Sequence, residues 1–214
     1  MPGPKESAEK ETGRVEAFSD GVFAIAITLL ILELHVPPFP AVITPAALLA
    51  ALLKLWPSAV ALVLSFFVIL IMWISHHELM RLVRRVDNRF LIANGVLLLM
   101  VTVVPFPTAV LAQYLSTPAA NAAAAFYCGT FVLIGAAYNV LFASVASNRR
   151  LVHHNVSDEL LEKIGTAYRM GFLVYVLATA VSWWYAPAGL ILYSSLWILW
   201  IALSYRDQSQ PTPP

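Results

Sequence analysis

Residues 15–34 read VEAFSDGVFAIAITLLILEL, and this stretch decides the fold. At about 1.5 Å per residue, a helix of this length matches the ~30 Å hydrocarbon core of a bilayer. Yet Ser19 and Asp20 lie inside the run. A carboxylate within a spanning helix is costly, so it faces protein or water and marks a functional position. On a helical wheel Ile25, Leu29 and Leu32 fall within about 60° of one another with Thr28 beside them, while Asp20 points to roughly the opposite side. One helix therefore offers an apolar stripe and an acid to different neighbours.

The rest of the chain supplies the setting. Of 214 residues, 60% are hydrophobic and 12% charged, whereas soluble domains carry about 25% charge. With a mean hydropathy of +0.76 this is an integral membrane protein. Cys128 is the only cysteine, so no intramolecular disulfide forms. The net charge of +1 says little in sum; its placement matters more.

Outward from the first span, residues 1–13, MPGPKESAEKETG, read as a polar N-terminal tail. Residues 37–47 hold four prolines and no basic residue, which marks a loop, and AALLAALLKL at 46–55 reads as a short helix near the membrane surface. Apolar runs then predict spans at about 57–80, 88–115, 119–146, 166–184 and 187–205, giving six transmembrane helices and an all-α polytopic fold. Pro105 and Pro107 are expected to kink the third. In the linker SNRRLVHHNVSDELLEKIG, Ser157 before Asp158 and Glu159 signals a helix start. Residues 206–214 read as a disordered tail.

The cations fix the orientation. Lys5, Lys10, Arg14, Arg81, Arg84, Arg85, Arg89, Arg149, Arg150, Lys163, Arg169 and Arg206 fall on one side of a six-span arrangement, and Lys54 alone on the other. The positive-inside rule then makes both termini cytoplasmic. Trp183, Trp184 and Tyr185 reach the outer interface, where amphipathic rings are favoured. In this frame Asp20, His76, His77 and Asn94 share one depth near the cytoplasmic side. A bond from Asp20 to His77, Ser19, Asn94 or the Trp73 indole spares it an unpaired charge in hydrocarbon.

Arg14, three residues, then Phe18-Ser19-Asp20 form R-x-x-x-F-S-D. Together with GVFAIAITLLILEL, WPSAVALVLSFFVILIMWISHHELM and NRFLIANGVLLLMVTVVPFPTAVL, this pattern resembles the transmembrane protein 175 family, potassium channels of animal endolysosomes and their prokaryotic relatives. The likeness covers roughly the first half of the chain; the later spans match only in being hydrophobic. It implies a polar network of Arg14, Phe18, Ser19, Asp20, Trp73 and His77. It also implies a pore on the axis of a homotetramer, with Ile25, Leu29 and Leu32 as the constriction and Thr28 adjacent. Such an apolar constriction gates by dewetting, and threonine oxygen serves a partly dehydrated cation. No TVGYG-type filter occurs, so the resemblance implies modest preference for K+ over Na+ among monovalent cations. With one six-span repeat, it further implies a prokaryotic channel of a bacterial inner membrane.

Other classes are poorer matches. No G-x-S-x-G, H-E-x-x-H or phosphate-cradling glycine loop is present, so no catalytic residues and no enzyme are expected. His76-His77 and His153-His154 lack a completing Cys or carboxylate, so neither a metal site nor a cofactor is expected. The basic residues are juxtamembrane, where topology and anionic membrane lipids account for them without nucleic acid. Five histidines permit pH tuning. A secondary transporter or small-molecule carrier is the alternative, although no internal repeat is visible.

Overall fold

The computed structural model describes the backbone of residues 4–38 and 44–207, and the side chains of 11–38 and 44–197. Residues 1–3 and 208–214 of the two expected tails lie outside the described residues.

Helix α1 (Pro4–Leu29) passes into a 3-10 turn (Leu30–Glu33). It begins inside the stretch read as a tail, because Pro4 suits a first turn and the Glu, Lys and Ala that follow are good helix formers. The short α2 (Pro45–Leu53) is capped by Thr44, whose Oγ1 accepts from Ala47 N–H at 3.1 Å, and buries none of its residues. Next come α3 (Trp56–Leu82), α4 (Asn88–Val103) and α5 (Pro105–Tyr114). The third expected span is thus two helices. Pro105 has no N–H for Val101 O, so Val104 N–H bonds there instead at 3.2 Å, and the Thr108 hydroxyl donates to Val104 O at 2.8 Å.

Helices α6 (Ala120–Ala146), α7 (Asp158–Trp184) and α8 (Ala186–Asp207) complete the chain. The fifth expected span starts earlier than 166 because Ser157 Oγ accepts from Leu160 N–H at 3.1 Å and Asp158 and Glu159 sit on the positive helix end. Among the described residues five stretches are long and apolar enough to cross a membrane: Glu11–Glu33, Trp56–Leu82, Asn88–Tyr114, Ala120–Ala146 and Asp158–Trp184. The sixth expected span falls on α8, a helix of 22 residues.

Helix α6 is the hub, packed on α4, α5, α7 and α8, with its widest contact on α7. Small residues permit the approach: a Cβ at Gly135 would lie 3.6 Å from Phe172 Cα. A buried polar seam joins the hub to its neighbours. Ser65 Oγ lies 2.7 Å from Thr108 Oγ1 and 3.0 Å from Tyr127 OH, which lies 3.3 Å from Tyr193 OH. Helix α1, by contrast, sits at the edge and packs chiefly on α3 and α4.

Candidate functional site

The edge position of α1 divides its residues. Ser19, Phe23, Ala26 and Leu30 are buried. Their spacing of four, three and four residues makes one inward seam along a helix. On the other side Phe18, Ile25, Thr28, Leu29 and Leu32 are exposed, Ile25 at 60% and Leu32 at 65%.

Behind the seam runs a directional chain of hydrogen bonds. The Ser19 hydroxyl donates to Val15 O at 2.9 Å. Asn94 Nδ2 donates to Ser19 Oγ at 3.0 Å, and Asn94 Oδ1, able only to accept, lies 2.9 Å from His76 Nε2, which therefore carries a proton. All three side chains are sealed from solvent, and His76 Nδ1 is buried without a partner. This chain ties α1 to both α3 and α4.

Two further links flank it. The Trp73 indole N–H donates to Asp20 Oδ1 at 2.8 Å, so of the four partners open to Asp20 the structure selects the indole. His77 Nδ1 lies 2.9 Å from Glu16 Oε1, one turn before Asp20, and its ring stacks on Trp73 with centroids 6.0 Å apart. The expected layer of Asp20, His76, His77 and Asn94 is therefore brought together along with Ser19 and Trp73. Arg14 and Phe18 are not part of it: Arg14 is exposed and makes no hydrogen bond or ion pair among the described residues, and Phe18 is 67% exposed. The sequence does not single out Glu16, because an acid in the first turn of a span reads as a solvated helix start; its spacing of four from Asp20 is the one signal it carries.

The stripe itself is uncovered. Thr28 Oγ1 donates to Ile25 O at 2.9 Å, which commits the hydroxyl proton to the helix and leaves the oxygen lone pairs facing outward. Beside it an apolar groove of about 440 Å³ is lined by Ile27, Thr28 and Ile31 from the first helix and by Leu62, Val63, Phe66 and Phe67 from α3. The two adjacent histidines diverge, His76 to Asn94 and His77 to Glu16, and no group of three His, Cys, Asp or Glu converges among the described residues.

The chain is similar in sequence and fold to known proteins. A family described as the endosomal/lysosomal potassium channel TMEM175 matches residues 14–105. A protein named potassium channel from Chamaesiphon minutus is 48% identical over 174 residues, covering 81% of this chain and 85% of its own. Another potassium channel, from Streptomyces collinus, is 39% identical over 204 residues, covering 95% of each chain. The crystal structure of a lysosomal potassium-selective channel TMEM175 homolog from Chamaesiphon minutus superposes with a TM-score of 0.82 at 43% identity, covering 91% of this chain and 98% of that one.

Proposed function

The chain belongs to the TMEM175 family, and from that premise we propose that it is a potassium channel of the cell membrane, conducting K+ passively along the axis of a homotetramer. The observation that carries this reading is the split of the first helix. Its seam is fixed to α3 and α4, while Ile25, Thr28, Leu29 and Leu32 face away from the protomer at its edge. A stripe from one helix needs several copies around an axis to enclose a pore, which cyclic symmetry supplies. Bulky side chains at Ile25, Leu29 and Leu32 make the constriction, and outward Thr28 oxygens meet a partly dehydrated cation. Without a carbonyl-lined filter, K+ is preferred over Na+ only modestly. Both termini are placed in the cytoplasm by the distribution of basic residues.

The test is potassium flux into proteoliposomes under imposed K+ and Na+ gradients, with Ile25→Ala/Leu29→Ala beside the wild type. Passive K+ flux exceeding Na+ flux is expected, and the double variant should conduct several-fold faster because the dewetted segment is widened. Flux that requires a counter-gradient would make the protein a transporter and return the stripe to ordinary packing.

Asp20 belongs to the frame of this pore and not to its lining. Asp20→Ala removes the acceptor of the Trp73 indole on the helix that faces the axis. The yield of assembled tetramer, read by size exclusion with light scattering, should fall several-fold, while the reversal potential of the channels that do assemble stays at the wild-type value. An assembled variant with altered selectivity would place the carboxylate in the conduction path instead.

A further inference from the structure

Two loops distant in sequence meet at one face of the bundle. Residues 83–87, between α3 and α4, and residues 147–157, between α6 and α7, are joined by an antiparallel bridge between Val83 and Val152. Leu151 O accepts from Arg84 N–H at 2.7 Å and from Arg85 N–H at 3.3 Å, and His153 N–H donates to Leu82 O at 3.0 Å. Val83, Leu151, Val152 and Val156 are buried beneath this clasp, so its geometry has an apolar floor. The stitching brings Arg84 and Arg85 against the backbone that carries Arg149 and Arg150.

Most of this charge has no anion among the described residues. Arg149 is committed, donating to Val156 O at 2.8 Å and lying 3.5 Å from Asp158 Oδ1. Asp87 is occupied as the cap of α4, accepting from Phe90 N–H at 2.8 Å. Arg84 leans on an imidazole, donating from Nη1 to His154 Nε2 at 2.7 Å, and its Nε is buried without a partner. The side chains of Arg85 and Arg150 are exposed and unpaired among the described residues. Topology asks for cations on this side, but it does not ask for two loops hydrogen-bonded so that the backbone of Arg84 and Arg85 lies against the segment carrying Arg150, three guanidiniums with no carboxylate partner among the described residues.

We propose that the clasp binds the phosphate of an anionic phospholipid in the adjacent leaflet, through Arg84, Arg85 and Arg150. The planar guanidinium fork fits phosphate oxygens. A lipid is favoured over a free anion by position. The clasp closes the ends of α3, α4, α6 and α7, each within a stretch able to span the bilayer, which sets it at headgroup level. Leu91 and Ile92, exposed about one turn into α4, offer an apolar flank for acyl chains. Thr12 Oγ1 donates to Arg84 O at 3.4 Å, so an occupied clasp also bears on the first helix. The binding assignment stands apart from the channel reading.

The test titrates the full chain in neutral detergent with phosphatidylglycerol, with phosphatidylcholine of the same acyl chains, and with inorganic phosphate, following bound lipid by native mass spectrometry. Phosphatidylglycerol should be retained and phosphatidylcholine not. Arg85→Gln/Arg150→Gln, two exposed changes that leave the fold intact, should weaken retention about five-fold per charge and roughly twenty-five-fold together. Arg81→Gln/Arg169→Gln, removing equal charge outside the clasp, should leave it near wild type. Equal loss in both double variants would reduce the effect to diffuse surface charge and overturn the site. Retention of phosphatidylcholine to the same degree, or displacement of phosphatidylglycerol by equimolar inorganic phosphate, would overturn the lipid assignment.

Discussion

Gly189→Ala should cost about 3 kcal/mol or more, the upper end of overpacking penalties, and yield little monodisperse protein in detergent. The cause lies at the corner where α7 ends at Trp184 and α8 begins at Ala186. Asn121 fastens that corner, donating from Nδ2 to Trp184 O and accepting at Oδ1 from Ala186 N–H, both at 2.9 Å. With the turn pinned the two helices leave the corner in contact, and a Cβ on Gly189 would lie 2.7 Å from both Cα and Cβ of Ser182. A side chain can rotate away from a clash; a Cα cannot without moving its helix. The measurement is the fraction of protein surviving a heat challenge as a single size-exclusion species. Ser182→Gly removes the side-chain part of the conflict and leaves the backbone part, so it should rescue Gly189→Ala only partly. Gly129→Ala is the control, since its Cβ would meet Thr179 Cγ2 at an ordinary 3.7 Å. Full tolerance of Gly189→Ala would mean that α7 and α8 do not hold this contact.

How far the sequence reveals these features follows from the range of the forces involved. The first helix was legible because period and polarity both act within one segment: a wheel separates Asp20 from Ile25, Leu29 and Leu32, and the structure keeps them on different sides. The break at Pro105 was legible for the same local reason. The Gly189–Ser182 contact was not, because nothing in the hydrophobic period of either helix says which faces meet after the turn. Pairings within the polar layer were half legible. Depth placed His76, His77 and Asn94 near Asp20, but depth does not give azimuth. Adjacent histidines differ by about 100°, and that rotation sends His76 to Asn94 and His77 to Glu16. The clasp of residues 83–87 on 147–157 was illegible for a third reason. Basic residues at helix ends are expected of any multipass protein, so their number carries no sign that these two loops meet.

The second large effect is expected at Asn94, where the polar substitution rule runs opposite to the usual order of core damage. In a bilayer the hydrophobic effect does not hold helices together, since lipid chains are as apolar as leucine; packing and interhelical hydrogen bonds do. Asn94 supplies two such bonds, to Ser19 on α1 and to His76 on α3, from a site where Ser19 and His76 are 0% exposed. Single interhelical bonds in membranes average about 0.6 kcal/mol because polar groups freed on separation find other partners. Here they find none while the helices remain packed, because the pocket is sealed and His76 Nδ1 already lacks a partner. Asn94→Leu fills the site with apolar atoms, leaves His76 Nε2 as unpartnered as Nδ1 already is, and should cost about 1–3 kcal/mol. Asn94→Ala opens space that water can enter and bridge, so it should cost less despite the smaller side chain. Heat-challenged size exclusion of the two variants checks the order, and flux through the surviving protein checks the role. If Asn94→Ala proves the worse of the two, the site is held by packing and the bond chain is incidental. If leucine is the worse and the survivors keep wild-type selectivity, the buried chain is what anchors the inner face of the first helix and leaves its outer stripe free to line a pore.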